Sequence, residues 1–214
     1  MQQHHRFFLV AFAVLVSTLS QNQSLALLIP QQPLSPTTHG RAGHRLQMSA
    51  AATPSAVSSL SPVTDASNGA VVDDLAERLK GKRVALYFSA GWCPMCTSFE
   101  PALASFRQAA SDSGKDVEIV YVPSDRSDAD GLERARAMGM LCVSKERAAD
   151  YKKEFKIWAG SETLAFGFGR RSGVPALVVL DNSDGKELAF LPAESQGARC
   201  LGDWPLDDES NGVW

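Results

Sequence analysis

Histidine is missing from most of this chain. The sequence has 214 residues, and its four histidines all lie within the first 44 positions. The remainder therefore has no imidazole to activate a serine or cysteine nucleophile, and none to complete a Cys/His metal site. We expect neither Ser–His or Cys–His catalysis nor a bound metal ion.

Acidic residues are absent from the first part of the chain. No Asp or Glu precedes Asp65, although that stretch contains three arginines. The rest holds 18 basic and 24 acidic residues, a balance of −6, without a cluster of positive charge. Because nucleic-acid binding leaves a clustered basic footprint, no nucleic-acid partner is expected. Hydrophobic residues make up 44% of the chain, enough to bury the core of one domain.

The first 64 residues have the composition of targeting and linker sequence. Phe7–Val16 is an unbroken apolar run, too short to span a bilayer comfortably and typical of a signal peptide. A small-x-small motif at Ser24–Ala26 places its cleavage near residue 26, so residues 1–26 are predicted to be a signal peptide. Residues 27–64 are rich in Ser, Thr, Pro and Ala, like a transit peptide or a disordered linker.

These features predict entry into the secretory pathway and no membrane span in the mature form. A signal peptide followed by a transit-like segment also resembles the two-part presequences that deliver proteins to plastids of algae with secondary endosymbionts. Plastid delivery is therefore the second hypothesis for localisation. Sequencing of the mature N-terminus distinguishes the two, because a start near Leu27 contradicts plastid delivery.

Cysteine is scarce as well, and four residues are too few for a disulfide scaffold in a domain of this size. Two of them, Cys93 and Cys96, have C-x-x-C spacing at the start of a predicted helix. A helix N-terminus stabilises a thiolate, and a thiol one turn further on resolves the mixed disulfide. The motif therefore predicts a redox dithiol with Cys93 as nucleophile and Cys96 as resolving thiol. Pro94 suits the first helical turn, where no backbone hydrogen bond is lost.

The other two cysteines leave alternatives open. Cys142 and Cys200 are interpreted as small buried hydrophobes, with a regulatory pair as the alternative. A zinc site that combines them with the C-x-x-C motif is disfavoured, because they lack paired spacing.

Hydrophobic periodicity predicts an α/β domain with a central mixed sheet flanked by helices, over residues 65–214. The predicted helices are Val71–Lys80, Met95 to about Ser111, Ala129–Met138, Lys145–Phe155 and one within Glu194–Leu201. The predicted strands are Val84–Phe88, Val117–Val122, Ala176–Leu180 and Glu187–Leu191.

The segment Tyr87–Cys96 carries a family resemblance. Its sequence, Tyr-Phe-Ser-Ala-Gly-Trp-Cys-Pro-Met-Cys, resembles the active-site strand and turn of tryparedoxins and nucleoredoxins, a branch of the thioredoxin superfamily. Gly173-Val174-Pro175 resembles the cis-proline loop that faces the dithiol in that family. The resemblance implies a thioredoxin-like fold in which Trp92, Pro94, Val174 and Pro175 contact the substrate.

The activity implied by the resemblance is that of a thiol–disulfide oxidoreductase, a protein-disulfide reductase. The alternative is a non-catalytic redox sensor or adaptor whose dithiol state gates partner binding. Expected partners are protein disulfide substrates and an upstream dithiol reductase or glutathione. No Gly-rich nucleotide fingerprint or flavin motif is apparent, so no bound cofactor is expected. We expect a monomer.

Three features depart from the family pattern. Met95 stands where these proteins carry a second proline, which leaves the redox potential undetermined. Tyr87 departs only from ordinary thioredoxins, which carry a buried Asp for proton transfer at this position; it resembles the tryparedoxin branch, and the proton acceptor is not identified. Trp158–Arg171 resembles an insertion before the cis-proline loop. It is either a solvated loop with aromatic anchors or, as we hypothesise, a segment bordering the active site that helps to select protein partners.

Overall fold

A mixed β-sheet forms the centre of the domain. The computed structural model describes residues 60–206. Its strands are β1 (Val63–Asp65), β2 (Ala70–Val71), β3 (Arg83–Ser89), β4 (Val117–Pro123), β5 (Leu141–Val143), β6 (Ala176–Leu180) and β7 (Glu187–Leu191). Its α-helices are α1 (Leu75–Leu79), α2 (Pro94–Asp112), α3 (Asp128–Ala137), α4 (Lys145–Phe155), α5 (Thr163–Phe166) and α6 (Ala193–Gln196). Two 3₁₀ helices, Gly160–Glu162 and Gly197–Asp203, complete the described elements.

The strands lie in the order β2-β1-β5-β4-β3-β6-β7. Strand β4 pairs in parallel with β3 and with β5, whereas β6 runs antiparallel to β3 and continues into the β6–β7 hairpin. Every residue of β3 is buried, as expected for a central strand covered on both faces. The thioredoxin-like fold with a mixed sheet flanked by helices is thereby confirmed.

Each face of the sheet packs against its own set of helices. Leu86 and Phe88 point to the face covered by α1 and α4, while Ala85 and Tyr87 point to the face covered by α2 and α3. This alternation follows from the two-residue period of a strand. Helix α2 therefore lies on the Tyr87 side of the sheet.

Helix α2 carries the C-x-x-C motif at its start. Its buried positions are Cys96, Phe99, Leu103 and Ala110, which recur at helical spacing. Met95, where the predicted helix begins, is exposed, whereas Cys96 is fully buried. Pro101 lies inside the helix.

The predicted helix at Val71–Lys80 is wrong in its first part. Gly69 adopts a positive φ of 74° and its N–H bonds to the Asp65 carbonyl oxygen, so the chain turns and Ala70–Val71 pairs with β1. The helix begins only at Leu75, because the Asp74 carboxylate accepts the Glu77 N–H at 3.1 Å and caps it. Val71, Leu75 and Leu79 follow helical spacing across both elements, so the sequence pattern does not show where strand β2 ends and helix α1 begins.

The strand β5 was not predicted at all. Its three residues complete the sheet between β1 and β4. Leu60 and Val63 are buried in the core on the α1 side, and Val63 pairs with Val143 of β5. Residues 60–64, assigned to the linker from composition, are therefore part of the folded domain. The predicted signal peptide and most of the predicted linker lie outside the described residues.

The segment Trp158–Arg171 is more ordered than a solvated loop. It leaves and re-enters the domain at a parallel β-bridge between Ile157 and Ser172. Between these points it forms a 3₁₀ helix and α5, with the Trp158 and Phe166 rings 5.7 Å apart. Phe168, expected as an aromatic anchor, is instead 94% exposed. Within residues 60–206, no helix combines the length and apolar character needed to cross a membrane.

Candidate active site

Cys93 lies at the N-cap of α2, in the loop that follows β3. Its Sγ accepts the N–H of Cys96 at 3.4 Å, which is the capping interaction of a helix N-terminus. Pro94 occupies the first helical turn, where proline is compatible with the missing N–H. The Cys93 side chain is largely buried, and its Sγ lies 3.7 Å from the carbonyl oxygen of Val174. The C-x-x-C motif and the Gly173–Pro175 loop, which faces the dithiol in the resembled family, are thus in contact.

Cys96 lies one turn further along α2 and is fully buried. Burial is the main cause that raises the pKa of its thiol to about 12, with the hydrogen bond to Cys93 as the next contribution. Both cysteines are free thiols in this structure. Cys96 thus keeps its proton at neutral pH until a base removes it.

The loop before β6 faces the dithiol through its backbone. The Val174–Pro175 peptide bond is cis, as the family resemblance implied. Preceding it, the Gly173 N–H donates to the Glu194 carboxylate at 2.6 Å, and Arg170 pairs with the same carboxylate at 3.6 Å. Glu194 therefore anchors this loop from the start of α6, a role that nothing in the sequence pattern indicated.

Trp92 precedes the dithiol and is 43% exposed. Its indole Nε1 donates to the Ser124 carbonyl oxygen at 2.9 Å, which fixes the ring against the loop after β4. On the other side of the thiols, Pro94 and Met95 are exposed at the start of α2. Exposed apolar side chains therefore flank the largely buried sulfur of Cys93.

The Trp158–Arg171 segment reaches this region through Glu162. The Glu162 carboxylate accepts the Ser124 hydroxyl at 2.8 Å and the Ala159 N–H at 2.9 Å. It also pairs at 2.6 Å with Lys152, which is 3% exposed. Because the Ser124 carbonyl holds Trp92, a connected set of hydrogen bonds runs from buried Lys152 to the active-site tryptophan.

A group of polar side chains lies beneath the dithiol. Asp125 accepts the Gly91 N–H at 2.8 Å through one carboxylate oxygen and the Tyr121 phenol at 2.7 Å through the other. Tyr87 lies beside Tyr121, with ring centroids 6.0 Å apart. The sequence pattern did not single out Asp125. Its hydrogen bond with Tyr121 depends on how the loop after β4 folds back, which residue spacing does not show.

An open cleft of about 420 Å³ borders Trp92 on the side of α3. Acidic and basic side chains line it together, among them Asp125, Asp130, Arg126 and Arg134. Arg134, which lines the cleft, also forms an ion pair with Glu100 of α2. Asp125 thus contacts the buried Tyr121 and also lines the cleft.

The remaining two cysteines lie away from the dithiol, in the core on the α2 side. Cys142 belongs to β5 and Cys200 to the last 3₁₀ helix, and both are buried free thiols. Burial is the main cause that raises the pKa of Cys142 to about 12 and that of Cys200 to about 11. Among the described residues, no three His, Cys, Asp or Glu side chains are grouped to hold a metal ion.

A family model described as Thioredoxin-like matches residues 81–187. Mouse nucleoredoxin is 29% identical over 103 residues, which are 48% of this chain and 21% of nucleoredoxin. Tryparedoxin of Trypanosoma brucei brucei is 44% identical over 52 residues, 24% of this chain and 35% of that protein. The chain therefore matches only about a fifth of the length of the mouse nucleoredoxin.

Solved tryparedoxins have the same fold. The structure of tryparedoxin from Trypanosoma brucei aligns with a TM-score of 0.51 at 24% identity, over 71% of this chain and 98% of that one. Tryparedoxin II complexed with glutathionylspermidine aligns with a TM-score of 0.50 at 21% identity, over 72% and 92% of the two chains. The family resemblance seen in the sequence is confirmed.

Proposed function

Because this chain belongs to the thioredoxin-like family, in its tryparedoxin and nucleoredoxin branch, we propose that it is a protein-disulfide reductase that works through Cys93 and Cys96. The observation that carries the proposal is the placement of the Cys93 sulfur. It caps α2 at 3.4 Å from the Cys96 N–H and lies 3.7 Å from the backbone of the Val174–Pro175 loop. A thiolate held at a helix N-terminus beside a second thiol is the arrangement that thiol–disulfide exchange requires.

The reaction follows from the different environments of the two thiols. The Cys93 thiolate attacks one sulfur of a substrate disulfide, a mixed disulfide forms, and the other substrate sulfur leaves as a thiolate. Cys96 then loses its proton and attacks the Cys93 sulfur, which releases the second substrate thiol. The substrate gains two electrons, and Cys93 and Cys96 end as a disulfide. An upstream dithiol protein or glutathione returns the pair to the reduced state.

The substrate is proposed to be an extended segment of protein that contains the target disulfide. Trp92 and Pro94 offer apolar surface beside the sulfur of Cys93, and the backbone of Val174 before Pro175 lies on the other side. Backbone next to the thiols suits pairing with an extended chain, because it recognises main chain and not a particular side chain.

Reduction of insulin disulfides tests the proposal. We expect turnover by the wild-type protein with a chemical dithiol as electron donor, and none by Cys93→Ser. Cys96→Ser should accumulate a mixed disulfide through Cys93, because the resolving thiol is missing. Cys142→Ala is the matched control, since it removes a cysteine away from the dithiol and should preserve turnover.

The outcome also separates an enzyme from a sensor. A non-catalytic redox sensor or adaptor would show little turnover in the wild type, and that result would contradict the proposal. Measurement of the reduction potential of the Cys93/Cys96 couple then decides between reduction and oxidation as the working direction.

We further propose that residues 1–26 direct the chain into the secretory pathway and that the following segment supplies either a linker or a plastid transit peptide. A mature N-terminus near Leu27 supports secretion without plastid delivery. A mature N-terminus closer to the folded domain supports the two-part presequence. A secretory location favours oxidation or isomerisation of disulfides, and a plastid stroma favours reduction.

A further inference from the structure

Large hydrophobic side chains that face solvent are concentrated in two segments of the domain. Only five are exposed in the described part of the chain, and two of them, Trp92 and Met95, belong to the turn that carries the dithiol. Two more, Leu164 at 98% and Phe168 at 94% exposure, belong to the Trp158–Arg171 segment. Exposed hydrophobic residues that occur singly are ordinary, whereas a group of them marks an interaction site.

The Trp158–Arg171 segment lies at the same edge of the sheet as the dithiol. Strand β3 ends at Ser89, shortly before Cys93. The neighbouring strand β6 runs antiparallel to it, and its first residue, Ala176, pairs with Phe88 near that end. Because the segment leads directly into the loop before β6, it enters the sheet at the edge where the chain leaves β3 for the dithiol.

Hydrogen bonds and an ion pair join the segment to both sides of the dithiol site. On one side, Glu162 accepts the Ser124 hydroxyl, and the carbonyl oxygen of the same serine accepts the indole N–H of Trp92. On the other side, Arg170 pairs with Glu194, the carboxylate that anchors the cis-proline loop. The segment therefore extends from the active-site tryptophan to the backbone that faces the dithiol.

The two exposed side chains are attached to a backbone that is held in place. Before them, the Glu162 carboxylate pairs at 2.6 Å with the buried Lys152. After them, the Arg171 guanidinium lies 3.8 Å from the centre of the Phe190 ring. Ordering a loop on binding costs free energy, and a segment that is already fixed avoids that cost.

The position of the segment indicates what covers this surface. Phe168 precedes Val174 by six residues, so the two lie at most about 20 Å apart. A protein that binds with its disulfide at Cys93 buries about 800 Å² of this side, a patch about 30 Å across, which is wide enough to include the segment. Arg170 and Arg171 are already paired with carboxylates, so the surface offers apolar contact and not a free charge.

We propose that Leu164 and Phe168 form a docking surface for the protein substrate. They contact apolar side chains that lie within about six residues of the target disulfide, the reach of an extended chain over this distance. The inference rests on the proposed function, because it concerns the substrate of the same dithiol. A small disulfide reacts at Cys93 without reaching the surface, so its rate does not depend on the two side chains.

Single-turnover reduction of two matched peptides tests this assignment. Both contain the same disulfide ring, flanked on each side by an arm of about six residues that carries leucine and phenylalanine in one peptide and serine in the other. Reduced protein is mixed with each peptide, the reaction is stopped with acid, and mass spectrometry gives the second-order rate constant. We expect the wild type to reduce the apolar peptide about tenfold faster than the serine peptide.

The double variant Leu164→Ser/Phe168→Ser should lose this preference. Its rate with the apolar peptide should fall about tenfold, to the rate with the serine peptide. Its rates with the serine peptide and with a small chromogenic disulfide should equal those of the wild type. Both side chains lie outside the core, so the variant keeps the fold.

Val71→Thr is the matched control. Val71 is the remaining exposed large hydrophobic residue of the described chain, and it lies in β2, which β1, β5 and β4 separate from β3. The substitution removes apolar surface of the same kind far from the dithiol. Its rates with both peptides should match those of the wild type.

The small chromogenic disulfide keeps this proposal distinct from the proposed function. No reaction of the wild type with that compound would contradict the reductase, whatever binds to Leu164 and Phe168. A normal reaction, combined with a preference for the apolar peptide that is absent from the wild type or retained in the double variant, would overturn the docking surface alone. Sedimentation velocity adds a second check, since a wild type that self-associates beside a monomeric double variant would assign the surface to another copy of this chain and overturn the proposal.

Discussion

The Cys93 sulfur lies 3.7 Å from the carbonyl oxygen of Val174, although 81 positions separate the two residues. This contact depends on the loop that contains Val174, and that loop is held by Glu194 through the Gly173 N–H. The Glu194 carboxylate thus holds the loop whose backbone lies against the Cys93 sulfur. Glu194 is a positioning residue for the site.

Gly173→Ala should lower insulin-reduction activity about tenfold, because small displacements of a reactive site have large kinetic effects. An added Cβ would overlap the Glu194 carboxylate and approach Arg170 at 2.9 Å, so the carboxylate or the loop must move. The φ of Gly173 is not in the left-handed region, so an alanine adds no backbone strain there. The expected loss of activity therefore comes from the contact with Glu194.

Gly202→Ala is the control for this change, since nothing lies within 4 Å of its added Cβ. Its activity should match the wild type. Equal activity of Gly173→Ala and Gly202→Ala would contradict the positioning role of Glu194.

Lys152→Met should lower the free energy of unfolding by about 3 kcal/mol, measured by urea denaturation. The substitution leaves the mostly buried Glu162 carboxylate without its 2.6 Å partner. The neighbouring Lys153→Met removes the same charge from an exposed position and should change stability by less than about 0.5 kcal/mol. A Lys152→Met protein as stable as Lys153→Met would show that the ion pair contributes nothing.

An alkylating reagent at neutral pH should modify the native, reduced protein once per chain, at Cys93. Burial raises the pKa of the Cys96, Cys142 and Cys200 thiols, and a protonated, inaccessible thiol does not react. Peptide mass spectrometry locates the modified residue, and the denatured protein, with all four cysteines modified, is the control. Native modification of Cys142 or Cys200, or a disulfide between them without reductant, would favour the regulatory-pair hypothesis.

Stability should fall as the pH rises above about 9. Burial raises the pKa from the ordinary cysteine value of 9.0 to about 12 in Cys96 and Cys142 and to about 11 in Cys200. Above pH 9.0 the unfolded chain releases these protons while the folded one keeps them. The unfolded state then binds fewer protons, so each thiol contributes a loss of up to about 1.4 kcal/mol per pH unit.

Urea denaturation at a series of alkaline pH values measures this slope. Cys142→Ala removes one of the three thiols, so its stability should fall less steeply between about pH 9 and about pH 11. A slope unchanged by the substitution would contradict the assignment to Cys142. Below pH 9.0 the pH dependence of variant and wild type should coincide.

Local signals account for the parts of the fold that were predicted correctly. Lys145–Phe155, Ala176–Leu180 and Glu187–Leu191 begin and end where the periodicity and the turn residues place them. These elements have several turns or a full run of apolar residues, so their own sequence specifies them. The three-residue strand β5 carries no such signal, because its conformation comes from pairing with β1 and β4.

The C-x-x-C spacing, the helix that follows it and the absence of histidine in residues 65–214 are enough by themselves to predict dithiol chemistry. Those features are local, and a helix N-terminus acts on the residue that caps it. Only the tertiary structure decided which distant groups lie around the two cysteines. Glu194 accepts the Gly173 N–H next to Val174, and Asp125 accepts both the Tyr121 hydroxyl and the Gly91 N–H, because folding brings separate strands and loops together. The spacing of residues along the chain does not predict these contacts.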